Sequence, residues 1–148
     1  MLSITTDYQH DAGSPEPYLR RIAAAGFTHL HWCHHWNDDF LYGSAEIDQI
    51  ARWLNDVGLA LNDLHASAGV EKCWYSTVEY ERLAGVELVR NRIEMTATLG
   101  GDVIILHLAA EPGNPAVRSA YWDCVRRSLD GLEPVARQHG VRIALEHT

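Results

Sequence analysis

The residues of this chain best suited to chemistry are its histidines, nine among 148 positions. His29, His31, His34 and His35 cluster, while His65 and His107 each sit near the end of an apolar run. A further run, Val141–Leu145, leads into Glu146 and His147. Neutral imidazole nitrogen and carboxylate oxygen are donors that zinc, manganese, cobalt and iron accept, so His and Glu at the ends of successive apolar runs read as divalent-metal chemistry. Each residue also has a structural reading. Glu146 could be a solvated charge or a helix cap, and His65 and His107 could be core histidines with satisfied nitrogens. Trp32 and Trp36 flank the first cluster, which favours a packed aromatic–histidine loop there, with His34 the first choice to reach a pocket. Asp38, Asp39 and Glu111 read as solvated loop charges.

The elements that would position these groups follow from hydrophobic periodicity, which alternates strand and helix along the whole chain. Leu2–Thr6 reads as an opening strand, and Pro15–Ala25 as a helix with proline in its first turn and Gly26 as its stop. Phe27–Trp32 is a second strand, with Thr28, Leu30 and Trp32 on one face and Phe27, His29 and His31 on the other. Ser44 caps a helix carrying Ile47, Ile50, Ala51 and Leu54 at helical spacing, ended by Gly58. Leu59–Leu64 is a third strand leading into His65, and Thr77–Leu99 a long helix broken by Gly100-Gly101. Asp102–Leu108 is a fourth strand, whose continuous β-branched run predicts burial on both faces. Pro112–Pro115 marks a turn, Tyr121–His139 a helix ended by Gly140, and Val141–Leu145 a fifth strand.

A strand–helix alternation at a spacing of about 30 residues argues for parallel strands joined by crossover helices. An open doubly wound sheet and a (β/α) barrel both fit. The first usually carries a glycine-rich phosphate turn after its opening strand. The corresponding turn, Asp7–Pro17, has no GxGxxG, which favours the barrel. In such a barrel the carboxyl ends of the strands share the catalytic face, and His31 or His34, His65, His107 and Glu146 hold those positions. Asp102 precedes its strand and belongs to the opposite rim, where stability is the simpler role.

Composition narrows the class. Twelve basic against twenty acidic residues give a net charge of −8, which argues against a dedicated nucleic-acid binder. Three separated cysteines, Cys33, Cys73 and Cys124, fit neither a disulfide framework nor a CxxC zinc site and read as reduced thiols. No apolar run approaches the ~20 residues of a membrane span, and the first residues show no basic segment before an apolar one. A soluble cytoplasmic protein with a single domain over 1–148 is expected.

The segments LALNDLHAS, GGDVIILHLA and GVRIALEHT, in that order, resemble the xylose-isomerase-like superfamily of sugar isomerases and epimerases, which includes the endonuclease IV type of DNA-repair enzymes. GVRIALEHT is the strongest match, since the family has a strand of alternating hydrophobics ending in Glu followed by Asn or His. The resemblance implies an α/β fold of the parallel (β/α) TIM-barrel type, of which this chain would supply about five of eight strand–helix units. It implies a divalent metal, with manganese, zinc, cobalt or magnesium as candidates, bound by Glu146, which would also move the substrate proton. His65 and His107 match metal ligands of the endonuclease branch and substrate-pocket residues of many sugar-active branches. His34 and Trp74 are the further expected substrate contacts, Trp74 (with Tyr75) because an aromatic face pairs with the C–H-rich face of a sugar ring.

The family's later ligands, on its sixth to eighth strands, have no counterpart before Thr148. The expectation is therefore the N-terminal part of a sugar or sugar-phosphate isomerase or epimerase, working by metal-assisted proton transfer next to a carbonyl. One alternative is an endonuclease IV-like phosphodiesterase. Another is a non-catalytic half-barrel that self-associates into homo-oligomers through its open sheet edges.

Overall fold

Alternating apolar positions in the strands and apolar stripes on the helices sort this chain into two layers. A computed structural model describes residues 2–7 and 13–147; the turn after the opening strand lies partly outside them. The elements are β1 (Ser3–Thr5), α1 (Glu16–Ala24), β2 (His29–Trp32), α2 (Ser44–Val57), β3 (Ala60–His65), α3 (Glu79–Thr98), β4 (Val103–Leu108), α4 (Pro115–His139) and β5 (Arg142–His147). All five strands are parallel and pair in chain order, β1-β2-β3-β4-β5. A doubly wound sheet reverses its strand order at a switch point. The uninterrupted order here is instead the arc of a (β/α) barrel, and right-handed crossovers place every helix on its convex side.

The core lies between the strands and those helices. Leu30 and Trp32 of β2, Leu64 of β3, and Ile104 and Leu106 of β4 are fully buried against Leu19 of α1, Val89 and Ile93 of α3 and Leu132 of α4. The concave face is different. Val103, Ile105 and His107 of β4 are half-buried while their neighbours are buried, so β4 is not covered on both faces as its apolar run predicts. Its inner side faces the open arc. No helix of the described residues is long and apolar enough to cross a membrane.

All four helix starts differ from the expected ones, by one residue at α1 and two at α3, and the other two have a clear local cause. The cap of α2 is Gly43 rather than Ser44, because the Glu46 carboxylate reaches back 2.8 Å to accept the Gly43 N–H. The last helix starts at Pro115, six residues before Tyr121: Asn114 accepts the Ala116 N–H at 3.0 Å, and Pro115 fits the first helical turn. The long helix α3 packs against the loop before it through Gly85. A Cβ at Gly85 would lie 2.3 Å from the Trp74 nitrogen, so a side chain there would expel the loop.

Helices α3 and α4 are joined by one polar cluster. Arg82, almost completely buried, binds Glu79 through two nitrogens at 2.8 and 3.0 Å and donates to Ser128 Oγ at 2.9 Å. Ser128 in turn donates to the Trp74 carbonyl at 2.5 Å, and Arg127 of α4 reaches Glu79 at 2.6 Å. The bond from Arg82, with help from Arg127, pulls the Glu79 pKa from 4.5 down to about 2. A carboxylate depressed in this way stabilises the fold above its unfolded value and loses that contribution as the pH falls through the folded one. Glu79→Gln is therefore expected to lower the melting temperature at neutral pH, by a gap that narrows between about pH 4.5 and 2. Calorimetry across that range checks it; a gap independent of pH would contradict the assignment.

Candidate metal centre

Parallel pairing sets His107 of β4 directly beside Glu146 of β5, on the concave face near the carboxyl end of the sheet. His65 is the last residue of β3, one strand further along. His107 Nε2 lies 2.8 Å from Glu146 Oε2 and 2.9 Å from His65 Nε2. One donor atom from each of the three falls within 4.8 Å of the others. His65 is buried, His107 half-buried and Glu146 exposed, so the group opens to solvent on the Glu146 side.

The protonation of His65 follows from its other nitrogen. Nδ1 lies 3.1 Å from the Ala66 carbonyl oxygen. A carbonyl only accepts, so Nδ1 carries the proton and Nε2 turns a lone pair toward the centre. Burial lowers the His65 pKa from 6.5 to about 4, with the neighbouring His107 and His31 adding to it and the Ala66 bond and Glu146 opposing it. Neutral imidazole is therefore the form present at neutral pH. His107 Nε2 then faces a lone pair and a carboxylate oxygen at once, and a single proton there cannot serve both well. One cation would satisfy all three donors together. Two imidazole nitrogens and one carboxylate oxygen suit zinc, manganese or cobalt, and three protein ligands leave positions open for a substrate.

Trp36 roofs the two imidazoles, its ring 4.2 Å from His65 and 5.4 Å from His107 between centroids. On the other side, His31 meets His65 edge-on at 5.8 Å and binds the Asp63 carboxylate through Nδ1. Asp63 reaches that position through a register shift: Leu30 pairs with Leu61 but His31 pairs with Asp63, so β3 carries one extra residue, Asn62. The Asn62 amide donates to Asp63 at 2.8 Å. A bulge of this kind re-aims side chains beside a site.

Comparison with known proteins gives this arrangement a family. Residues 19–148 match the family described as xylose isomerase-like TIM barrel. The chain belongs to that family. The uncharacterized protein y4fM of Sinorhizobium fredii (strain NBRC 101917 / NGR234) is 29% identical over 151 residues, covering 86% of this chain and 48% of the relative. Among solved structures, the 3-keto-D-glucoside 4-epimerase YcjR from E. coli, in its apo form, aligns with a TM-score of 0.73 at 22% identity, covering 98% of this chain and 56% of that one. A xylose isomerase-like TIM barrel protein from Mycobacterium smegmatis in complex with magnesium gives 0.65 at 17% identity, over 98% of this chain and 54% of that one. At these identities the likeness to solved structures establishes the fold. The chain spans about half the length of the curated relative it matches.

Within this xylose isomerase-like arc, two expected substrate contacts fall elsewhere. Trp74 is fully buried in the core, where Gly85 lets its backbone lie against α3, so its ring offers no face to a ligand. His34 points away from the centre: its Nε2 donates to the Gly13 carbonyl at 2.9 Å and its Nδ1 lies 3.2 Å from the Tyr42 hydroxyl. It lines a separate cavity of about 500 Å³ with Phe40, Ile50 and Trp53. Their places near the triad are taken by Trp36, His31 and Asp63. Asn62-Asp63 inside an otherwise apolar strand was the signal for the last of these, since it breaks the two-residue alternation.

The tautomer of His65 is directly measurable. Long-range ¹H–¹⁵N NMR of the metal-free chain is expected to show the His65 proton on Nδ1 at neutral pH, with the ring charging only near pH 4. A proton on Nε2, or ordinary titration near 6.5, would contradict the geometry described.

Proposed function

We propose that this chain contributes metal-binding and proton-transfer groups to a sugar or sugar-phosphate epimerase or isomerase. The observation that carries the reading is the convergence of His65 Nε2, His107 Nε2 and Glu146 Oε2 at the open end of the sheet. A sugar epimerase and a magnesium complex among the proteins of the same fold support it. A divalent cation held by the three residues would supply Lewis acidity at a substrate carbonyl.

The chain's own residues do the rest. His65, fixed in its tautomer by Ala66 and covered by Trp36, presents a lone pair that needs no rearrangement on binding. Glu146 is the exposed member, so its carboxylate is the one a substrate reaches first. It would take the proton from the carbon next to the carbonyl, the C–H electron pair shifting toward the carbonyl oxygen, and its conjugate acid would return a proton. Trp36 closes the other side of the imidazoles to water. Phosphodiester cleavage on DNA is disfavoured by charge. The net charge is −8, and Arg142, the cation on this face of β5, lies at the amino end of the strand, away from the triad, and is bound to Asp102 at 2.9 Å.

Glu146→Gln tests the reading. Calorimetric titration with Co²⁺ or Mn²⁺ is expected to show affinity reduced by well over two orders of magnitude, beyond the ~10–100-fold loss typical of an outer-sphere partner. Exchange of the carbon-bound proton of ketoses with D₂O, followed by NMR, is expected to disappear with it. Undiminished metal binding or undiminished exchange in the variant would overturn the proposal.

A further inference from the structure

The loop between β2 and α2 is held by a buried cation whose partners are not carboxylates. Arg92 of α3 is fully buried. Its Nη2 donates to the carbonyls of His35 at 3.2 Å and Phe40 at 2.9 Å, and its Nη1 to Asn91 Oδ1 at 2.8 Å. The guanidinium carbon sits 4.4 Å over the Tyr42 ring. Asn91 completes the grip, accepting the Tyr42 N–H and donating to the Tyr42 carbonyl, each at 2.9 Å. Burying a charge with no carboxylate in direct contact is expensive, and Asp38 and Glu46 offset that only from a distance. The gain must lie in the loop shape that Arg92 imposes.

That loop is strained at one point. His35 is the only non-glycine residue at positive φ among those described, at 57°, a region uncommon for any side chain, though Asn, Asp and His enter it more often than others. Its ring stacks on Phe40 at 4.3 Å, and its Nδ1 meets Asp38 at 2.6 Å. The turn delivers the next residue, Trp36, across the end of the sheet onto His65 and His107.

We propose that Arg92 is a positioning residue for the metal centre: by binding the His35 and Phe40 carbonyls it holds the left-handed turn that lays Trp36 over His65 and His107. A guanidinium can serve several acceptors in one plane, whereas the point charge of lysine cannot reproduce the fork. The inference rests on the triad being the metal site, so its test has one readout that needs no metal.

In the metal-free chain, at a pH where the imidazoles are neutral, the Trp36 indole should shift the ring protons of His65 and His107 upfield. Trp36→Ala should abolish that shift, and Arg92→Lys should diminish it in a protein that still unfolds cooperatively. His35→Gly keeps the carbonyl that Arg92 binds and accepts a positive φ without strain, so it should fold and retain the shift. Co²⁺ affinity should fall roughly tenfold in Arg92→Lys and in Trp36→Ala, with the double variant no weaker than Trp36→Ala alone. Histidine shifts unchanged in Arg92→Lys, or lost in His35→Gly, would overturn the proposal, as would losses that multiply in the double variant. A native chain that shows the upfield shifts but binds no Co²⁺ would sink the metal reading and leave the positioning role of Arg92 supported.

Discussion

Parallel pairing of β4 with β5 sets His107 beside Glu146, and the open end of the sheet is organised around that contact. The ladder runs in register from Val103–Arg142 to Leu108–His147. Because strand side chains alternate faces, a slip of β4 by one residue would turn His107 toward the helices and leave Glu146 without its imidazole. The apolar side of β4, through Ile104 and Leu106, prevents that slip, since it would expose two fully buried side chains. Ordinary hydrophobic packing on the convex side thus fixes polar geometry on the concave side.

The two faces of the arc have opposite character. Toward the helices it is close-packed and apolar. Toward the interior it presents Thr5, His31, Asp63, His65, His107 and Glu146, which no folding argument would choose for a barrel interior. Groups of this kind gather where function overrides local stability. The convergence of imidazole lone pairs with a carboxylate is unfavourable without a proton or a cation to share. The supporting shell tolerates it: Ala66 fixes one tautomer, Trp36 covers two rings, and Asp63 binds the imidazole beside them.

Much of this was legible in the sequence because two periodicities carried it. The strand–helix alternation, the glycine stops at Gly58 and Gly140, and the strand-end positions of His65, His107 and Glu146 all follow from side-chain spacing. What the sequence hid depends on contacts across the fold. Trp36 and Trp74 both lie in loops after strands, and nothing local says which one meets the site. Gly85, distant in sequence, buries Trp74, while Arg92, on the same helix, holds the loop that carries Trp36. His34 and His31 are equally plausible by type, and only the β3 bulge at Asn62 gives His31 a carboxylate partner on the concave face. The start of α4 was readable in Asn114-Pro115 but masked by a neighbouring proline and glycine that resemble a turn.

The central claim is that His65, His107 and Glu146 hold one divalent cation. Anomalous diffraction from crystals of the chain grown with Mn²⁺ or Co²⁺ addresses it most directly. The expected result is one peak within about 2.0–2.3 Å of His65 Nε2, His107 Nε2 and a Glu146 carboxylate oxygen, distances normal for such ligands. A peak elsewhere, with the His65–His107 contact intact at 2.9 Å, would contradict it.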